Sequence, residues 1–161
     1  VVRLVGSEMC IRDRNNKISQ YFIKKYYEPD LKLKFINSLL KLANTSIDIS
    51  DGLIDDLKKM INRQSVSFHI FEKNIPISNS LSQLIKIKKL RKIDVTSRGD
   101  DYQILFTANS NKSRIIKKIS NNTGIKITKI GKIISGKNKS KIINIKNKQI
   151  EAKNKGYIHQ F

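Results

Sequence analysis

The sequence predicts an α+β domain in which helices pack on a mixed sheet. Three observations carry this. Apolar residues recur at helical spacing from Leu33 to Leu42 and again from Leu53 to Ile61. Polar and apolar residues alternate from Thr45 to Ile49 and from Val66 to Ile70, as half-buried strands require. Beyond Gly124 the isoleucines come in short clusters separated by Gly and Asn, the pattern of short strands joined by turns. A chain of 161 residues is long enough for one domain with a genuine core.

The elements follow in order. Phe35, Ile36, Leu39, Leu40 and Leu42 line one face of a predicted helix that feeds the Thr45 strand. A second helix is expected from about Gly52 to Asn62, with Leu53, Ile54, Leu57, Met60 and Ile61 on its apolar side. Val66, Phe68 and Ile70 alternate with Ser67 and His69, so His69 reads as a solvent-facing structural residue. Ile75-Pro76-Ile77 is a turn or extended crossover, and Ser80 to Leu90 is predicted helical. Tyr102 to Thr107 is short and apolar enough for a buried strand. Ile115, Ile116 and Ile119 mark the next helix, which Asn121 to Gly124 terminates. Strands are then expected at Ile125, Ile127 and Ile130, at Ile133-Ile134, and at Ile142, Ile143 and Ile145. The predicted order is α-β-α-β-α-β-α-β-β-β.

The stretch Asp48-Ile49-Ser50-Asp51-Gly52 is the richest in chemistry. If Ile47 and Ile49 point into a core, Asp48 and Ser50 share the opposite face. Asp51 follows at the helix start, where an acid also satisfies backbone N–H groups left without helical partners. Hard cations such as Mg²⁺ take carboxylate oxygens together with phosphate oxygens, so the cluster suits a metal–nucleotide site. A helix cap followed by a glycine turn fits the same spacing. Asp55 and Asp56, one turn on, read as solvated surface acids. Gly52 would allow close backbone approach.

A second element, Arg98-Gly99-Asp100-Asp101-Tyr102-Gln103-Ile104-Leu105-Phe106-Thr107, follows later. Together the two resemble the thiamine-monophosphate kinase family, whose second half carries a D-x-S-D-G-L element and then G-E-D-Y-E-L-L-F-T. Tyr27-Glu28-Pro29, Ile75-Pro76-Ile77 and Gly156-Tyr157-Ile158-His159-Gln160-Phe161 agree with three further pieces of the family pattern, in order. The resemblance covers residues 18–161. The D-x-S-D-G element alone would indicate only the wider superfamily of ATP-dependent enzymes related to aminoimidazole ribonucleotide synthetase (PurM-like).

The resemblance implies a layered α/β/α domain with a mixed sheet, like the C-terminal domain of that superfamily. It implies that Asp48 and Asp51 hold Mg²⁺ and that Ser50 contacts ATP. It implies that Asp100, which stands where the family has glutamate, and Tyr157 contact the thiamine phosphate substrate. Asp100 is one methylene shorter than the family residue, and Gln103 replaces the element's second glutamate with an uncharged side chain. Tyr102 is a strand anchor or a contact, and Tyr157 a stacking partner or a C-terminal anchor. Asp56 matches the aspartate of the family's D-G-L-x-x-D-L continuation, where it would orient the motif. No residue is assigned as catalytic. The implied reaction transfers the γ-phosphoryl group of ATP to thiamine monophosphate, giving thiamine diphosphate in the cytoplasm. It also implies an N-terminal ATP- and Mg²⁺-binding half that this sequence does not contain, and a homodimer in the full-length protein. The rival readings are another ATP-dependent enzyme of the superfamily and a basic nucleic-acid-binding module.

Composition limits the rivals. The net charge of +20 would suit a nucleic-acid partner. However, Ile, Lys and Asn are enriched together, as A- and T-rich codons would make them, and the lysines are spread along the chain. Aromatics are sparse in the denser basic stretch from Lys126 to Lys155, whereas base-stacking modules set aromatics into their basic surface. Specific nucleic-acid binding is therefore not expected. No apolar run reaches the ~18–20 residues of a membrane span. The single cysteine, Cys10, excludes an internal disulfide framework. Val1–Arg14 holds three of the seven arginines and no Lys or Asn, and reads as a non-native or junction segment ahead of a domain at residues 15–161.

Overall fold

The computed structural model describes residues 17–28, 32–62, 64–99 and 101–153 of the chain. The Val1–Arg14 segment, Cys10, Pro29, Asp100, and Tyr157 with the rest of its tail lie outside the described residues.

Helix α1 (Lys17–Tyr27) is followed by α2 (Leu33–Leu42), which leads into strand β1 (Thr45–Asp48) and helix α3 (Leu53–Ile61). Strand β2 (Val66–Phe71), helices α4 (Asn79–Ile87) and α5 (Lys92–Thr96), and strand β3 (Ile104–Thr107) come next. Helix α6 (Ser113–Thr123) precedes strands β4 (Gly131–Ser135), β5 (Lys141–Ile143) and β6 (Gln149–Ile150). The expected mixture of helices with a mixed sheet is what the chain forms. The strands divide into two sheets. β1 pairs antiparallel with β3, placing Ile47 opposite Leu105 and Asp48 opposite Ile104. The other sheet runs β4-β2-β5-β6, with β2 antiparallel to β4 and parallel to β5.

Two apolar cores hold these parts together. In the larger, α3 buries Leu53, Ile54, Leu57 and Ile61 against Ile49, Phe68, Ile70, Leu105 and Ile142. The smaller joins Phe22 of α1 to Leu81 and Leu84 of α4 and to Val95. Helix α5 links the two, because Ile93 enters the first and Val95 the second. Burying one such aliphatic side chain contributes about 1.5–3 kcal/mol, so α3 is the best-anchored helix near the site.

The structure corrects several expectations. Ile125, Ile127 and Ile130 are not in a strand, and at Ile125 α6 side chains satisfy the backbone instead. Ser120 Oγ donates to the Ile125 carbonyl at 2.7 Å, and the Ile125 N–H donates to Thr123 Oγ at 3.3 Å. Ile145 is not in a strand either. Asn144 Oδ1 accepts the N–H groups of Lys146 and Lys148, both at 2.9 Å, which closes a turn and leaves Ile145 exposed. Tyr102 and Gln103 precede β3 rather than open it. Tyr102 has φ +49°, a left-handed conformation that a regular ladder does not accommodate. Helices α1 and α5 and strand β6 are additional to the predicted order. The i, i+3, i+4 placement of Ile18, Tyr21 and Phe22 is the sequence signal for α1.

Candidate functional site

The Asp48–Gly52 stretch bridges the end of β1 and the start of α3. As expected from alternation, Asp48 is exposed at the strand end while Ile49 is buried. The β1–β3 pairing continues one residue past the strand: Ile49 N–H donates to the Gln103 carbonyl and Tyr102 N–H to the Ile49 carbonyl, both at 2.9 Å. The turn that carries Ser50 and Asp51 is thus tied to the segment that carries Asp101 and Tyr102. Ser50 and Asp51 are half-buried.

The turn owes its shape to Asp56, the fourth residue of α3. Its Oδ2 accepts three successive backbone N–H groups, from Ser50 at 3.0 Å, Asp51 at 2.9 Å and Gly52 at 3.1 Å. Asp56 is only 1% exposed, so it is no surface acid, which corrects one of the two expectations for it and agrees with its orienting role. Burial pushes its carboxyl above the ordinary range, against the Gly52 and Ser50 donors and with help from the charges of Asp48 and Asp55. Asp51 does not cap α3. The N-cap position is Gly52, which has no side chain to offer the helix, while its own N–H donates to Asp56. Asp56 instead holds the amides of the turn before the helix, and the Asp51 carboxylate turns to a lysine. Its Oδ2 accepts from Lys59 Nζ, and Lys59 also reaches Asp56 Oδ1 at 3.2 Å. Asp55, half-buried, pairs with Lys58 at 2.9 Å.

Two glycines lock this turn against the loop before β3. Gly52 has φ +116°, and a Cβ placed there would lie 2.5 Å from the Ser97 carbonyl oxygen. Gly99 has φ +95°, and its Cβ would lie 2.3 Å from the Ser50 carbonyl oxygen. Each backbone fills the space a side chain would need on the other, so the close approach expected of Gly52 is met on both sides. Beside them Ser97 Oγ is buried with no hydrogen-bond partner among the described residues. The sequence did not single Ser97 out; its place in the S-R-G run is the only signal.

The structure therefore brings Asp48, Ser50 and Asp51 together at one strand-to-helix turn, with exposed Asp101 and Tyr102 on the adjoining segment. Asp100 and Tyr157 lie outside the described residues. Tyr102 is half exposed, so it is not a buried strand anchor. Gln103 Nε2 donates to the Asp101 carbonyl at 3.3 Å. His69 is half-buried in β2, in register between Lys132 and Lys141, away from this turn in the topology. Among the described residues no group of three or more His, Cys, Asp and Glu side chains could hold a metal ion. Two carboxylates and a hydroxyl are hard oxygen donors of the number Mg²⁺ takes from protein when phosphates and waters complete its shell, so the donor set fits that ion as a partial site.

No family model matches the chain. A thiamine-monophosphate kinase of Buchnera aphidicola subsp. Schizaphis graminum is 33% identical over 146 residues, which is 91% of this chain and 45% of that protein. The solved thiamine monophosphate kinase of Aquifex aeolicus aligns at 25% identity with a TM-score of 0.71, covering 91% of this chain and 47% of that one. A complex of AaThiL with AMPPCP and TMP aligns at 24% identity with a TM-score of 0.73, covering 97% and 47%, and speaks for the fold. The chain spans about half the length of the curated relatives it matches, in their C-terminal portion.

Proposed function

The chain belongs to the thiamine-monophosphate kinase family, of whose members it matches the C-terminal portion, and from this we propose that it supplies one side of a phosphoryl-transfer site. Paired with an N-terminal half like that of its relatives, it would transfer the γ-phosphoryl group of ATP to thiamine monophosphate. The observation that carries this reading is the Asp48–Gly52 turn. Asp56 takes up its amides, and the Asp51 carboxylate faces a cation, the exposed ammonium of Lys59, rather than capping the helix.

Asp48 and Asp51 would hold Mg²⁺, and Ser50 would contact ATP. The ion, when bound, neutralises charge spreading over the transferred group. The protein's own part is positioning. The crossed glycines and the Asp56 hydrogen bonds fix the turn before substrate arrives, so little reorganisation is needed during transfer. Asp100 and Tyr157 would contact thiamine monophosphate, the tyrosine by stacking on a ring. A homodimeric, cytoplasmic full-length enzyme belongs to the same reading, as does a Val1–Arg14 segment foreign to the domain. The described residues contain no helix long and apolar enough to cross a membrane.

The test is a fusion of the N-terminal portion of the Buchnera relative to this chain, assayed for thiamine diphosphate formed from ATP and thiamine monophosphate. Turnover by the fusion, with none by the 161-residue chain alone, is expected. A folded fusion that forms no product, or turnover by the chain alone, would overturn the proposal.

A further inference from the structure

Lys59 follows Asp51 by eight residues and Asp56 by three, and its ammonium donates to a carboxylate oxygen of each. Its neighbour Lys58 instead pairs with Asp55, so the two lysines serve different acids. The oxygens of Asp56 are committed: Oδ2 to three backbone amides and Oδ1 to Lys59. Among the described residues the Asp51 carboxylate has no such backbone partners, and it faces Lys59. An ammonium carries three donors and no acceptor, so it meets a carboxylate as a cation does. A divalent ion on Asp51 needs the same oxygen lone pairs.

We propose that Lys59 is a built-in competitor for the divalent cation, pairing with Asp51 when the metal is absent and yielding it when the metal arrives. This rests on the reading of Asp51 as a metal ligand. The exchange asks little of the fold. The Lys59 side chain is 52% exposed on a flexible four-carbon stem, so it can swing into water without opening the core. Asp56 stays fixed by its amide donors, and the turn keeps its shape whichever cation Asp51 holds. The charge balance also favours a cation here, because one ammonium faces two carboxylates in the metal-free state. Lys59 would thus keep the acids from repelling one another before loading, while lowering apparent metal affinity by the worth of one exposed ion pair.

The experiment is Mn²⁺ titration of the full 161-residue chain at low salt, followed by electron paramagnetic resonance of free Mn²⁺. Lys59→Met should bind Mn²⁺ about two- to fivefold more tightly than the parent, which is what an exposed ion pair is worth. Lys59→Arg keeps the charge and should bind no more tightly than the parent; it also guards against a Lys59→Met variant that folds poorly, which circular dichroism would reveal. Asp51→Asn should lose the binding. If Asp51→Asn loses it but Lys59→Met binds equally or more weakly, or Lys59→Arg binds more tightly than the parent, the competitor role is overturned and the ligand reading stands. If Asp51→Asn binds as the parent does, or no chain binds Mn²⁺, the ligand reading falls and the competitor role falls with it.

Discussion

Asp56 sits inside α3 yet reaches back to hold the turn that precedes the helix. Three amides converge on one of its oxygens. Its burial holds the carboxyl above the ordinary carboxylate range. The folded state therefore keeps this proton to higher pH than the unfolded chain does, and stability linked to it is fullest below the unfolded pKa. That contribution is lost as pH rises through the raised folded value. Chemical denaturation of the chain and of Asp56→Asn from about pH 4 to about pH 7 should show the parent's advantage shrinking as pH rises; an advantage that grows would contradict the assignment. Gly99 makes a simpler case. Gly99→Ala forces a Cβ toward the Ser50 carbonyl at a φ that side chains rarely adopt. A loss of about 2 kcal/mol is expected, read as a melting temperature lower by roughly 4–8 °C. An unchanged melting curve would mean the two loops are not interlocked.

At the scale of elements, the chain wrote its strongest periods plainly and its weakest ones not at all. Helices α2, α3, α4 and α6 lie where apolar spacing put them, and α6 ends at Gly124 with φ +68°, as a left-handed C-cap should. Helix α5 has five residues, too few for a period to register. Strand β6 has two. Ile125, Ile127 and Ile145 alternate like strand residues, yet Ser120, Thr123 and Asn144 draw the nearby backbone into side-chain hydrogen bonds. The competition between local polar side chains and the ladder is visible only once the chain has folded. Ser78 is a case where a side chain defines an element: its Oγ accepts the Leu81 N–H at 3.1 Å and starts α4. Ser78→Ala should cost about 1 kcal/mol, a melting-temperature drop of roughly 2–4 °C. No drop would show that the smaller core alone fixes α4.

At the scale of the molecule, charge and chemistry point in different directions. A net charge of +20 attracts any polyanion, whatever the site does. Duplex DNA should therefore bind weakly and without sequence preference, and lose at least tenfold in affinity between about 50 and 200 mM salt. Tight, sequence-selective binding at physiological salt would move the function toward nucleic acid. The candidate site was partly legible. Asp48, Ser50 and Asp51 could be read because their chemistry is packed into one short run. Ser97 and the second glycine's contact were not, since each depends on two segments meeting across the fold, whereas Asp56, just beyond the same short run, could be read as the residue that orients the motif.

Whether the Asp48–Gly52 turn is metal–nucleotide machinery or a helix start is decided most directly by Asp51→Asn in the fusion of the Buchnera N-terminal portion with this chain. A metal-bound carboxylate contributes several kcal/mol in the transition state, so kcat should fall by about 100-fold or more. The ion pair lost with Lys59 is an exposed one, worth up to about 1 kcal/mol, so the melting temperature should move by less than about 4 °C. A larger fall in melting temperature with unchanged kcat would contradict the metal–nucleotide role and leave Asp51 a structural residue.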